Sequence, residues 1–320
     1  MTPHRVLVTG ASGFAGSHLA RRLVGLGCDV HVLGRPTSDL ARLDDIRDVV
    51  GLHLADLRDP DSVAVAVRAV RPDHVFHLAA ATMHAGHSPG PDEQVMTNIR
   101  GTVALLNACQ DAGVDAFVNV GDAFEYGPAD GPIAETAHCR PTSLDGITKL
   151  AATLYGRSLA RSADMSVVTV RPFSIVGSAD DPRRLVPRLV DAARTGAPVT
   201  LSDRRIVRDI VWVDDMIGLC LLAAERSAEL RGEILNCGSG SATTLGELVA
   251  TIEAVTGTVV AAKWGAFPVA THDFHHPVAD TVATRALGWR ATTPLASMIE
   301  RLWRADVPGQ PSSGASGRSR

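Results

Sequence analysis

The sequence predicts an α/β fold: a doubly wound parallel sheet with a smaller C-terminal α/β part. Three observations predict it. Short apolar runs alternate with helical patterns through the first half of the chain. The first run leads directly into a glycine-rich turn. Small or polar residues then gather where each later run ends, which is where ligands sit in such sheets.

Val6, Leu7 and Val8 form the apolar run of a buried parallel strand, ended by Thr9 and Gly10. Gly10, Gly13 and Gly16 follow at every third residue, and a helical pattern continues through Leu19, Ala20 and Leu23. A strand, a glycine turn and a helix N-terminus make an anion site. Backbone N–H groups point outward, and the helix dipole favours a pyrophosphate. The alternative is a tight turn with no ligand; the strand before and the helix after favour the nucleotide.

The 320 residues allow one large or two smaller domains. Hydrophobic residues make up 45% and charged residues 21%, as in ordinary globular enzymes. The formal net charge of −4 gives no reason to expect nucleic acid or an anionic membrane as partner. No apolar run reaches membrane-span length, and the first strand begins too early to leave room for a signal peptide. The five cysteines, Cys28, Cys109, Cys139, Cys220 and Cys237, are scattered, which reads as reduced thiols in the cytoplasm.

A second strand is expected over residues 29–33. A carboxylate at its tip would bind the ribose of NAD, and an arginine would accept the extra phosphate of NADP. The tip reads Gly34-Arg35-Pro36, which favours NADP, although a lone strand-end arginine can also be merely solvated. A third strand is expected over residues 52–57, ending at Asp56 and Leu57, and a helix over 61–70. A fourth strand over 74–80 closes on Leu78, Ala79 and Ala80, small enough for a flat ring to lie against the backbone. A helix over 98–112 and a fifth strand over 116–120 complete the first half.

Several motifs in fixed order then define a resemblance: TGASGFAG at 9–16, ADL at 55–57, HLAA at 77–80, FVNVGDAFEYG at 117–127 and GITKLAATLYG at 146–156. With VRPFSIVG at 170–177, VRDIVWVDD at 207–215, LNCGS at 235–239 and LGWR at 287–290, the chain resembles the extended short-chain dehydrogenases. That branch holds nucleotide-sugar epimerases, dehydratases and 4-ketoreductases. The resemblance implies a Rossmann domain over residues 1–170, a substrate domain over 171–305 interleaved with it, and a disordered tail over 306–320. It also implies NAD(P), a nucleotide-diphospho-sugar substrate and a homodimer. The implied cofactor contacts are Gly10, Ser12, Gly13, Phe14, Gly16, Arg35, Asp56, Leu57, Leu78, Ala79, Ala80, Lys149 and Pro172. The implied substrate contacts are Thr82, Asp122, Ser174 and Arg208; the arginine falls where the family reaches the diphosphate, unless it forms a salt bridge with Asp209 or Asp214.

The family's chemistry rests on a Tyr, a Lys four residues later, and a Ser or Thr at the end of the fifth strand. Lys149 is in place, but Asp145 stands at the Tyr position and Asp122 at the Ser/Thr position. The 4,6-dehydratases carry an Asp-Glu pair where this chain has Ala123 and Phe124, which disfavours that subgroup. Two carboxylates facing one pocket cannot both ionise cheaply, so the pair would titrate as a unit with one pKa raised. Asp145 and Asp122 would then handle a hydroxyl proton beside Lys149. The other reading is a catalytically silent binding relative. Glu125 and Tyr126 at the same strand mouth are further candidates for proton transfer, or else pocket wall. The run His272-Asp273-Phe274-His275-His276 fits no standard zinc spacing, and no metal is expected. The expected reaction is hydride transfer at sugar C4, in an epimerase or a 4-ketoreductase.

Overall fold

A strand buried on both faces must be apolar on both, and seven segments of this chain meet that condition or sit beside one that does. The computed structural model describes residues 4–83, 88–162, 165–266 and 278–305. Its strands are β1 (Arg5–Thr9), β2 (Asp29–Gly34), β3 (Gly51–Leu54), β4 (His74–His77), β5 (Ala116–Val120), β6 (Ser166–Pro172) and β7 (Ile234–Cys237). They form one parallel sheet in the order β7-β6-β5-β4-β1-β2-β3. The order reverses between β1 and β4, and that reversal opens a crevice at the strands' carboxyl ends.

Helices cover both faces. Val6, Val8, Phe76 and Val118 pack into one core with α1 (Phe14–Gly25). Leu7, Val75 and Phe117 pack into the other with α2 (Pro60–Val70) and α3 (Thr102–Ala112). The long α4 (Leu144–Ser162) lies against β6 and the tip of β5. In the second half, α5 (Leu185–Thr195), α6 (Val213–Glu225), α7 (Leu245–Thr256) and α8 (Leu295–Arg304) extend the first core.

The two halves of the chain cross over. Strand β7 returns to pair with β6, and Pro132–Ile133 pairs with Val278–Ala279. Two further pairs, Ser174–Val176 with Ile210–Trp212 and Val207–Arg208 with Thr243–Thr244, set the wall opposite the sheet's carboxyl ends.

Three elements differ from expectation. Strands β3 and β4 each stop three residues early. Their last ladder bonds are Ala55 N–H to Gly34 and Leu78 N–H to Thr9, and the residues beyond line a cavity. The helix expected from Asn98 begins at Thr102, because Val95–Gly101 is π-helical. Such bulges re-aim side chains near functional sites. Here Asn98 turns inward, and its amide both accepts from Ala81 N–H (2.7 Å) and donates to Ala81 O (2.9 Å). The expected tail and the His272–His276 run lie outside the described residues.

Gly16 fixes how closely α1 approaches the sheet. A Cβ there would lie 2.1 Å from the Gly10 carbonyl oxygen, so backbone would have to move. Gly25, at the far end of the same helix, has nothing within 4 Å of its would-be Cβ. Urea unfolding should therefore show Gly16→Ala losing about 3 kcal/mol or more, while Gly25→Ala is neutral or gains up to about 1 kcal/mol.

Candidate active site

The site begins at the turn into α1. Its N-cap, Gly13, makes no side-chain cap bond, and the first turn holds no acidic residue. The first-turn N–H groups thus face no competing carboxylate of that helix. Gly10 adopts φ +72°, and a Cβ there would stand 2.6 Å from Ala79 N, so only glycine lets β1 and β4 end together. Gly13 is different: a Cβ would meet only the Gly10 carbonyl, at 3.2 Å. Its bareness keeps the backbone open to an approaching anion, which fits a dinucleotide pyrophosphate.

That turn forms one end of a cavity of about 310 Å³. Gly10, Ser12, Gly13, Arg35, Asp56, Leu57, Leu78, Ala79 and Ala80 all line it. Thr82, expected on the substrate, lines this cavity as well. Ser38, Glu93 and Thr97 also line it and were not anticipated, since loop closure and the π-helical segment bring them there. Phe14, Gly16, Lys149 and Pro172 do not line it. Gly16 is packed on Gly10, Phe14 stacks edge-on against His18, and Pro172 is buried in β6. At the far end of the cavity, the Arg35 N–H donates to Ser38 Oγ (3.0 Å). Asp56 accepts from Arg58 (2.6 Å), and that bond holds its carboxyl below the usual range.

A buried polar chain supports the cavity floor. Thr102 Oγ1 donates to Asn98 O and so accepts from His77 Nε2 (2.9 Å); His77 Nδ1 then accepts from Thr9 Oγ1 (2.7 Å). Thr9 Oγ1 in turn accepts from Ala79 N–H. Burial, and secondarily Lys149, pushes the His77 imidazole down to about 3, so it stays neutral.

A second cavity, of about 250 Å³, opens between the tip of β5 and the second half of the chain. Asp122, Phe124, Phe173, Ser174, Asp180, Arg184 and Arg208 are on its wall. The carboxylate of Asp209 is taken by Ser239, Gly240 and Ala279, and that of Asp214 by Trp212. Asp180 pairs with Arg184 at 3.3 Å, and burial raises its carboxyl pKa.

The expected proton-transfer residues fall into distinct places. Asp122 caps the turn Ala123–Glu125 and accepts from Phe124 N–H (2.7 Å). Burial pushes its carboxyl up to about 6, against Phe124 N–H and Lys149, with Glu125 and Asp145 adding to the rise. Lys149 is buried and donates to Val120 O (2.7 Å); burial lowers its pKa, opposed by Asp122, Glu125 and Asp145. Asp145 lines neither cavity. Its two carboxylate oxygens share the Met83 N–H, at 3.1 and 3.3 Å.

Tyr126 and Glu125 lie behind the pocket and not in it. The Tyr126 hydroxyl donates to Asn236 (2.7 Å), and burial raises its pKa to about 12. Glu125 is wholly buried against Arg171 at 2.6 Å. Neither offers a free proton-transfer group to a sugar. Among the described residues, no group of three or more His, Cys, Asp or Glu could hold a metal ion. No described helix is long and apolar enough to cross a membrane.

Residues 6–238 match the model of the NAD dependent epimerase/dehydratase family. The chain belongs to this family. UDP-glucose 4-epimerase from Streptomyces lividans is 29% identical over 320 aligned residues, covering 93% of this chain and 95% of that protein. dTDP-glucose 4,6-dehydratase from Streptomyces griseus is 30% identical, with 92% of each chain covered. The structure of UDP-glucose-4-epimerase from Stenotrophomonas maltophila, with bound NAD and formylated UDP-arabinopyranose, superposes with a TM-score of 0.85. It is 30% identical and covers 94% of this chain and 97% of that one. The Rossmann sheet, its glycine turn and the cavity beside it are thus those of an NAD-dependent epimerase/dehydratase-family protein.

The raised Asp122 pKa has a consequence for stability. Between about pH 4 and pH 6 the folded state keeps a proton that the unfolded chain has released, so stability falls as pH rises through that window. Below it both states are protonated and the difference vanishes. Asp122→Asn, which carries no charge, should be more stable than wild type by about 1–3 kcal/mol at neutral pH and equal below about pH 4. Urea unfolding at the two pH values checks this; a gain that persists in acid would assign the effect to something other than the carboxylate.

Proposed function

We propose that this protein is an NAD(P)-dependent nucleotide-sugar enzyme that moves a hydride at sugar C4, with Asp122 as the group that takes and returns the hydroxyl proton. The reading is carried by one observation: a carboxylate with its pKa near 6 on the wall of the second cavity, beside a buried lysine. A base that titrates near neutrality is matched to this work, whereas an exposed aspartate is not.

Bound NAD(P) supplies the hydride acceptor at the nicotinamide. The glycine turn holds the pyrophosphate, and the cavity from Arg35 to Ala80 holds the adenosine end. Lys149, buried at the tip of β5 with its amine on Val120 O, sets its charge beside Asp122 from behind the cavity wall. Arg208 and Arg184 face the sugar diphosphate, and Ser174 lies where a polar contact to it is made. As the C4–H bond breaks, the hydroxyl proton passes to Asp122. In an epimerase the hydride returns to C4 on its other face and the proton returns to the C4 oxygen; in a ketoreductase the net flow runs toward the alcohol.

Asp145 is assigned a supporting part, holding the Met83 backbone beside the dinucleotide cavity. The same observation favours a rival reading. If the residue at the tyrosine position serves the loop alone, the protein binds both nucleotides without turnover, as a silent partner subunit for an active relative.

A panel of UDP-, dTDP- and GDP-hexoses with NAD and NADP decides between them. Turnover by wild type should fall at least about 100-fold in kcat for Asp122→Asn, with KM held within about threefold. Full activity in that variant would move the proton to Asp145. Binding of both ligands with no turnover in wild type would establish the silent reading.

For the cofactor, Arg35 supports NADP over NAD, because its guanidinium would meet the extra phosphate. Arg35→Asp should lower the NADP-to-NAD affinity ratio by about 10-fold or more in calorimetric titration. An unchanged ratio would leave Arg35 as surface charge.

A further inference from the structure

We infer that Glu125 and Arg171 are positioning residues for Asp122, fixing its backbone at the tip of β5 and the charge that faces it. This rests on the reading of Asp122 as the proton acceptor.

The geometry is a relay of bonds. Glu125 Oε1 accepts from Asp122 N–H at 2.9 Å, while Asp122 Oδ1 accepts from Phe124 N–H. Glu125 Oε2 is gripped by Arg171 through Nε (2.8 Å) and Nη2 (2.6 Å). Both side chains are essentially inaccessible, at 0% and 1% exposure. Gly121 completes the fit, since a Cβ there would lie 2.3 Å from Glu125 Oε1. The Tyr126 ring lies under the guanidinium at 4.4 Å, and its hydroxyl is tied to Asn236, so the arginine is held from below.

A buried ion pair is a poor way to stabilise a core. Removing two charges from water is costly, and an apolar pair of similar volume does as well. This pair has a further attachment, because one carboxylate oxygen is aimed at the backbone of the residue on the cavity wall. Burial opposes the charge on Arg171, but Glu125 and then Tyr126 outweigh it, so the guanidinium stays charged. Glu125 meets it through two nitrogens, the forked geometry of a guanidinium–carboxylate pair, and so sets a carboxylate beside Asp122.

The charged groups around Asp122 are few. Lys149 and Asp145 face it from α4, and Glu125 faces it from its own turn with Arg171 behind on β6. Across the cavity stand Arg208 and the Asp180–Arg184 pair. Removing the Glu125 charge both deletes a repelling anion and leaves Arg171 uncompensated. Both changes make Asp122 easier to ionise.

The test uses the free, full-length protein with carbon-13 in the aspartate carboxyl groups. Asp122→Asn identifies the Asp122 resonance, and its titration midpoint is followed by NMR. In Glu125→Gln, which keeps an acceptor for Asp122 N–H, the midpoint should fall by about half a pH unit or more. In Arg171→Lys, which keeps the charge, it should stay within about 0.3 of wild type. An unchanged midpoint in Glu125→Gln overturns the inference, whatever happens to its melting temperature. A fall of equal size in Arg171→Lys overturns it too, since lost packing would then be the cause. Failure of both variants to fold also overturns it, because the pair would be a fold determinant only. The readout needs no substrate. If the midpoint moves as expected and no sugar is turned over, the inference stands and the reading of the reaction falls.

Discussion

The contact between Gly16 and the Gly10 carbonyl is the constraint on which the rest of the site depends. It sets α1 against the ends of β1 and β4 with no side chain between them. A larger residue would push the helix outward, and its N-terminal N–H groups would no longer overlook the crevice where the strand order reverses. The anion site, the cavity beside it and the spacing between β1 and β4 all follow from that approach. Gly101 repeats the device on the other face, where a Cβ would stand 2.8 Å from Leu57 Cβ.

Polar groups buried below the crevice hold its floor in one arrangement. Thr9, His77, Thr102 and Asn98 share a single chain of bonds that runs from β1 through β4 to the π-helical segment. Asn98 extends it to Ala81 and to Thr148 on α4. Each donor in the chain has an acceptor, the condition under which a buried network gives rigidity and not a penalty. The bulge at Val95–Gly101 makes sense in this light, because it turns the Asn98 amide toward the loop after β4.

At the mouth of β5 the chain buries two groups at a cost in stability. Asp122 carries a carboxyl shifted upward by burial beside Lys149, shifted down for the same reason. Each is held by a backbone partner, Phe124 N–H for the acid and Val120 O for the amine. Two opposite charges with their pKa values drawn toward each other suit proton exchange near neutrality. The tyrosine that relatives place nearby has no counterpart at Asp145, and Tyr126 is committed to Asn236.

The sequence by itself determined the parallel sheet, the glycine turn and the identity of most residues lining the cavity beside that turn. These are local properties: an apolar run, a three-residue glycine spacing and small residues at a strand end each act through their own neighbours. It also marked Asp122 and Asp145 as departures from the family pattern. Only the tertiary structure decided where each sits. The two aspartates are far apart in sequence, and which carboxylate meets the cavity depends on how α4 seats against the turn after β5, where Gly146 lies under Phe124. Thr97 reaches the first cavity from the π-helical segment and Glu93 from just before it, a placement that leaves no trace in hydrophobic spacing. The Glu125–Arg171 pair was equally hidden, since its partners are 46 residues apart and join only when β6 is laid beside β5.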